Sequence, residues 1–409
     1  MRDLLFLSHR IPYPPDKGEK IRAWHFFLRL ARTHRMHLGC FLDDPADRAH
    51  LVELRRHCAD LKIVEIDRTR QKCLSVLRAR PGQPLTLGYF ASAELREWTR
   101  QKLAGGIDRA FVYCSAMAPY LMQAPGVRRV LDMVDVDSAK WADYAARAGW
   151  PARAVWAREA HTLLAFERKA AQDFDRTLFV SRAEAETFIR LAPEAAGRVG
   201  WMENGVDLET FSPAHDFPPP LPAGPAWAVF TGSMDYWPNV DAVTWFADAV
   251  LPLIRARHPG LRFAIVGANP APAVRRLAER EGIVVTGRVA DVRPYVAQAA
   301  LVVAPLRIAR GIQNKVLEAM AMGRPVIATP QAHEGLRAEP GRELLVGADA
   351  PALAALAAEV LDGHHAALGA AGRAAVLRDH AWAATLAGLD GLFEAPADLG
   401  SSFAHEAMP

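Results

Sequence analysis

The sequence predicts an α/β fold of two doubly wound parallel sheets in tandem. Three observations predict it. Short apolar runs recur with helical patterns between them, the alternation that builds parallel sheets. The alternation occurs twice, on either side of a stretch holding Pro213, Pro218, Pro219, Pro220, Pro222 and Pro225, and proline joins neither a ladder nor a helix interior. At 409 residues the chain also exceeds what one core usually supports. The reading therefore places a first domain over residues 1–203, a linker over 204–225 and a second domain over 226–380.

In the first domain strands are expected at Asp3–Leu7, Met36–Phe41, Lys62–Ile66, Arg109–Cys114, Arg128–Val134 and Thr177–Val180. The first runs into Ser8-His9-Arg10-Ile11-Pro12-Tyr13-Pro14-Pro15, a proline-stiffened loop that leads to a helix ending near Ala31. Loops over strand ends carry function. Gly18 lets backbone approach a ligand closely, and Arg22 can reach a phosphate or a carboxylate; the alternative is an ordinary strand-to-helix connection. Ser115 is a possible cap for the helix after the fourth strand.

Asp132, Asp135 and Asp137 stand at or just past the fifth strand. Carboxylates there serve as acid, base or hydroxyl ligand, or equally as helix caps, for which Asp137 or Ser138 is well placed. From Lys140 to Asp173 the pattern is long, helical and rich in Trp, Ala, Arg and Glu, and its His161 reads as structural.

Glu203-Asn204-Gly205-Val206-Asp207 is a turn and the first clear break. Strands of the second series are expected at Ala226–Phe230, Arg262–Val266, Ile283–Thr286, Ala300–Ala304, Pro325–Ala328 and Glu343–Val346. Gly232, Gly267, Gly287 and Gly311 follow strand ends, a rim of glycines that suits a nucleotide, and Asn239 is a possible helix cap. Between the strand expected at Ala300–Ala304 and Pro325 lies Gly311-Ile312-Gln313-Asn314-Lys315-Val316-Leu317-Glu318. A helix N-terminus attracts anions, the lysine adds a point charge, and residues three apart share a face. Lys315 and Glu318 then form either a phosphate grip with an attached carboxylate or a solvated ion pair on a surface helix. The buried strand expected directly after Pro325 favours the grip, because open α/β sheets bind ligands at strand carboxyl ends. The tail reads as Ala- and Leu-rich helices, the last over Trp382–Phe393, with fraying past Ala395.

Composition excludes several classes. Half of the residues are hydrophobic (51%), 23% are charged and mean hydropathy is near zero, as in soluble globular proteins. A formal charge of +3 is too small to argue for nucleic acid. The run from Glu53 to Arg80 is locally basic, with Arg55, Arg56, Lys62, Arg68, Arg70, Lys72, Arg78 and Arg80; it reads as a solvated face or as a surface for anionic membrane. Cys40, Cys58, Cys73 and Cys114 have no metal or disulfide spacing. With no leader and no stretch long enough to span a bilayer, a cytoplasmic protein is expected, peripheral at most to the membrane.

Four runs then carry a resemblance: Glu203-Asn204-Gly205-Val206-Asp207, Phe230-Thr231-Gly232-Ser233, Val285-Thr286-Gly287-Arg288-Val289, and Lys315 through Thr329. They resemble the successive signatures of retaining glycosyltransferases of family four, which have the GT-B fold. Ser8 to Pro15, Asp135 to Trp141 and Gly311 to Lys315 further resemble the sugar transferases associated with bacterial exosortase (PEP-CTERM) and exopolysaccharide clusters. The resemblance implies two Rossmann-like domains facing each other across a cleft, with a last helix, 381–395, crossing back to the first domain and a flexible tail over 396–409. It also implies transfer of a sugar from a nucleotide-diphosphate donor, UDP- or GDP-linked, to a lipid-linked or glycan acceptor, without a cofactor.

By the same resemblance the donor meets Gly232, Ser233, Gly287, Arg288, Gly311, Ile312, Gln313, Asn314, Lys315 and Glu318, with Gly18 in the glycine loop under the diphosphate. Glu318 matches the second glutamate of the family's Glu-x7-Glu motif and is expected on the ribose hydroxyls. Eight residues before it stands Arg310, where the family carries the first glutamate, and Ser233 stands where many members carry arginine. Lys315 and Arg310 are the expected stabilisers of the leaving diphosphate, with Asp135 on the acceptor side. The donor domain has no Asp-x-Asp, so metal independence is expected. A nucleotide-sugar 2-epimerase of the same architecture and a non-catalytic sugar-nucleotide scaffold are the competing readings.

Overall fold

The structure, a computed structural model, describes residues 1–15, 18–77, 82–224, 226–309 and 312–394. The chain divides into two compact units, Met1–Met202 with Leu386–Pro409, of which the described part ends at Glu394, and Glu203–Thr385.

The first unit is built on a parallel sheet of seven strands: β1 (Arg2–Ser8), β2 (His34–Leu42), β3 (Asp60–Glu65), β4 (Arg109–Tyr113), β5 (Arg128–Val134), β6 (Arg176–Phe179) and β7 (Val199–Trp201). Their order is β3-β2-β1-β4-β5-β6-β7. Leu4, Leu5, Phe6 and Leu7 are all fully buried, as a strand covered by helices on both faces requires. Six of the seven strands fall where apolar runs predict them. The seventh is three residues with a glycine at its centre, too short to show a period.

The second unit carries six parallel strands: β8 (Trp227–Thr231), β9 (Arg262–Val266), β10 (Ile283–Val285), β11 (Leu301–Ala304), β12 (Val326–Ala328) and β13 (Leu345–Val346), in the order β10-β9-β8-β11-β12-β13. Both sheets thus have the doubly wound, Rossmann-like form, the order reversing between β1 and β4 in one and between β8 and β11 in the other. Ligands of such sheets bind outside the carboxyl ends at that reversal.

The single helix expected over Trp382–Phe393 is instead two pieces, a short helix Trp382–Thr385 in the second unit and a 3-10 turn Asp390–Phe393 in the first. Gly388 and Gly391 interrupt the run and weaken any helix through it. The turn is fastened to the first sheet by Asp390, which pairs with Arg29 at 2.6 Å and accepts from Thr33 Oγ1 at 2.9 Å. Leu392 and Phe393 are buried beneath it. No helix among the described residues is long and apolar enough to cross a membrane.

Candidate functional site

In the second unit the reversal between β8 and β11 is where the Asn314–Ala321 helix begins, after β11. Its second residue, Lys315, lays its ammonium over the Phe230 ring of β8, 4.2 Å from the centroid. Lys315 Nζ donates to Asn239 Oδ1 at 2.6 Å, and Asn239 Nδ2 donates to the Ser233 carbonyl at 2.9 Å. The lysine, carried by the helix after β11, is therefore fixed in position by residues of β8 and of the segment that follows it. Burial pushes its pKa down to about 7, opposed by Glu318. Burial pushes Glu318 up to about 7, opposed in turn by Lys315. The two interact one helical turn apart, each half-buried and each in need of a counter-charge that water does not fully supply.

Two glycines make room here. A Cβ on Gly232 would sit 2.8 Å from Asn239 Nδ2 and 3.1 Å from Lys315 Nζ, and one on Gly267 would fall 1.7 Å from the Gly232 carbonyl oxygen. The second clash is backbone against backbone, so no rotamer relieves it. Gly267→Ala is expected to destabilise the second unit by about 2 kcal/mol or more, visible as a lower urea midpoint for its amides. An unchanged midpoint would contradict the close approach.

The remaining predicted donor residues are dispersed around this point. Ile312 is buried. Gln313 is the cap residue of the helix without a side-chain cap bond, and Asn314 Oδ1 accepts from Asn204 Nδ2 at 3.0 Å, tying the Asn204-Gly205 turn to the helix start. Ser233 Oγ donates to Asp235 Oδ1 at 2.6 Å. Gly287 turns with φ +69° after β10, and Arg288 beside it is exposed. Arg310 and Gly311 lie outside the described residues. Asn239 does not cap its helix: Tyr236 holds the cap position of Trp237–Trp245 without a side-chain bond, because the Asn239 amide is committed to Lys315 and Ser233.

Gly18 and Asp135 belong to the first unit. Gly18 is exposed at the start of the Gly18–Ala31 helix. Arg22, four residues on, points inward: its Nε and Nη2 donate to Asp132 Oδ2 and Oδ1 at 2.8 and 3.1 Å, its Nη1 to the Met202 carbonyl at 2.7 Å. With Arg22 1% and Asp132 0% exposed, this is a buried structural pair: of the two partners expected for Arg22, a phosphate or a carboxylate, it is a carboxylate of its own unit that it meets. The same strand ends hold His9, after β1, whose ring stacks on Tyr113 at 5.8 Å and lies 3.5 Å from Glu19. Burial works against its charge, yet Cys114 and Glu19 push its pKa up to about 10. Cys114 and Val134, at the ends of β4 and β5, have φ of 73° and 69°, strained for side chains that carry a Cβ.

The capping expectations here are corrected too. Ser115 is buried inside a 3-10 turn that begins with it, and Cys114 precedes that turn. Asp137 and Ser138 lie within the Asp137–Arg147 helix, whose cap position is Val136. Its first N–H groups are met from a distance: Val136 N donates to Glu184 Oε2 at 2.8 Å and Ser138 N to Glu167 Oε1 at 3.3 Å. Sequence reasoning missed both glutamates, which no local spacing marks. His161, expected to be structural, is exposed on its helix.

Glu184 also acts on Asp135, whose pKa burial first, then Glu184 and Asp137, push up to about 7. Burial pushes Glu167, 0% exposed, up to about 8. Its folded pKa is above the unfolded value, so the stability it contributes is complete below about pH 4.5 and is lost as pH rises through about 8. Glu167→Gln, which keeps an acceptor for Ser138, is expected to flatten that decline, a gain on the order of a few kcal/mol at the alkaline end. Urea unfolding of both proteins across this window checks it; parallel curves would refute the buried neutral acid.

Residues 225–363 match the family described as Glycosyl transferases group 1. The sucrose-phosphate synthase of Thermosynechococcus elongatus superposes over 96% of this chain and 98% of its own, with a TM-score of 0.69 at 18% identity. Anabaena HepE in complex with UDP and glucose covers 96% and 99%, TM-score 0.67, 15% identity. WaaG, a glycosyltransferase involved in lipopolysaccharide biosynthesis, covers 95% and 99%, TM-score 0.65, 16% identity. The likeness at these identities is one of fold, the GT-B fold. A comparison with curated proteins found no match.

Proposed function

We propose that the chain is a nucleotide-sugar glycosyltransferase that moves a hexosyl group from a UDP- or GDP-linked donor to an acceptor hydroxyl, with retention at the anomeric carbon. The setting proposed is assembly of an exopolysaccharide or another cell-surface glycan at the cytoplasmic membrane face, on a lipid-linked or glycan acceptor. The observation that carries the reading is Lys315, a half-buried ammonium held by Asn239 at the sheet reversal of the second unit, with Glu318 one turn further along. The family match over the same unit and the UDP complex of a protein of this fold support it.

The reaction breaks the bond between the anomeric carbon and the distal phosphate oxygen, forms one to the acceptor oxygen, and releases the acceptor proton. Negative charge grows on the diphosphate. Lys315 and the N–H groups at the start of the Asn314–Ala321 helix stabilise it in place, with little reorganisation. Arg310 adds a second cation. Glu318 accepts from the ribose hydroxyls, and Asp135, titrating near neutrality, takes the acceptor side. Gly232, Gly287 and Gly18 let backbone come close to the donor, and no divalent ion takes part.

A thermal-shift screen of UDP-, GDP- and ADP-sugars tests the reading, since a bound donor raises apparent stability; product anomers are then read by NMR, with and without a chelator. Absence of both binding and donor cleavage sinks it. Epimerised donor accumulating without acceptor points to the epimerase, and binding without any turnover to the scaffold.

A further inference from the structure

We propose that the tip of the hairpin formed by the Asp137–Arg147 and Ala152–Asp173 helices docks the first unit onto an anionic lipid bilayer, with Trp150 in the interfacial layer. The proposal stands apart from the transfer chemistry, because docking needs no donor.

Trp150 is 85% exposed, the most exposed large hydrophobic side chain among the described residues. The surface around it is small and apolar: Ala146, Gly149, Pro151, Ala154, Val155 and Ala157 are exposed as well. Indole rings favour the boundary between headgroups and acyl chains, where one end is apolar and the other wet. The charges agree in sign. From Lys140 to Arg158 the chain has four basic residues and one acid, Asp143; Lys140 pairs with Asp137 at 3.7 Å and Arg158 with Glu159 at 3.8 Å, which leaves Arg147 and Arg153 as the cations of the tip. Arg147 and Arg153 flank Trp150 and are exposed, so a negative surface gains from both, about fivefold in partition for each.

The tip is also rigidly mounted. Trp141 and Tyr144 of one helix pack on Trp156 of the other, with ring centroids 6.4 and 5.8 Å apart. At the base, Glu159 accepts from the Leu85 and Thr86 N–H groups at 2.8 and 3.0 Å. A side chain held out on a fixed stem loses little further entropy on insertion.

The basic run from Glu53 is the poorer surface. Arg56 pairs with Glu53, Lys62 with Glu94 and Arg68 with Asp43, so much of its charge is already met, and Arg78 and Arg80 lie outside the described residues. A second copy of the chain is disfavoured at the hairpin because a two-fold contact would set Arg147 and Arg153 against the same arginines.

Co-sedimentation of the full-length protein with vesicles rich in phosphatidylglycerol, against vesicles of phosphatidylcholine alone, tests the proposal. Wild type is expected to bind the anionic vesicles and to be released by salt. Trp150→Ala should weaken binding about tenfold, and Arg147→Glu with Arg153→Glu about thirtyfold or more, while circular dichroism and cleavage of soluble donor stay unchanged. Wild type that fails to bind overturns the proposal. So do hairpin variants that bind like wild type, an Arg55→Glu/Arg56→Glu variant that detaches in their place, or light scattering that shows a dimer broken by Trp150→Ala.

Discussion

Lys315→Ala is expected to lower kcat for donor cleavage about 10²–10³-fold. The ammonium is held by Asn239 and stacked over Phe230 before any ligand arrives, and a preorganised charge aimed at a leaving group is worth far more than one that must be gathered from solvent. The same substitution removes a cation that burial disfavours together with the charge opposite Glu318, which, already pushed up to about 7, takes a proton instead, so the ligand-free protein should unfold close to the wild-type temperature. Loss of turnover without loss of stability separates a role in the reaction from a role in folding. Proton linkage gives a second readout. With a pKa near 7 in the free protein, the amine is mostly neutral at about pH 8, and a bound diphosphate restores its charge. Binding of UDP at about pH 8 should therefore take up close to one proton, seen as a buffer-dependent calorimetric enthalpy, and Lys315→Ala should take up almost none. If wild type and variant bind with equal proton uptake, the lysine does not meet the phosphate.

Much of this site was legible in the sequence because its parts are local. Lys315 and Glu318 are three residues apart in one helix, and the apolar runs of β8, β11 and β12 bracket them, so spacing alone placed a charge and a carboxylate at a sheet rim. The partner of that charge was not legible. Asn239 lies 76 positions from Lys315, and its own neighbourhood advertised a helix cap, the local use of an amide that a sequence shows first. Glu184 and Glu167 were missed for the same reason. They satisfy the N-terminus of the Asp137–Arg147 helix from 48 and 29 positions away, which leaves Asp137 and Ser138 without the capping task their position suggested. Sequence patterns report periods and near neighbours; which distant side chain closes a hydrogen bond is decided by packing.

The first unit should be most sensitive at a pair that periodicity also concealed. Asp132→Ala is expected to destabilise it by about 3–5 kcal/mol. Asp132 is fully buried and accepts two bonds from Arg22 and a third, at 3.2 Å, from the N–H of Val134. Truncation leaves the Arg22 guanidinium 1% exposed with its main counter-charge gone, and a neutral carbonyl such as that of Met202 does not replace a bidentate carboxylate. The pair also spans the sheet reversal, from the helix after β1 to the carboxyl end of β5, and its loss would release the strained turn at Val134 that leads directly to Asp135. Arg22→Met should cost a similar amount, because it strands the buried carboxylate. The double variant Arg22→Met/Asp132→Leu, which removes both charges, should recover most of the loss, since desolvation largely offsets the attraction between such partners. Urea-dependent hydrogen exchange at β1 and β5 amides reads the stability of this unit by itself. Single variants that each cost less than about 1 kcal/mol, or a double variant whose cost equals their sum, would show that the two residues are not coupled through a buried charge.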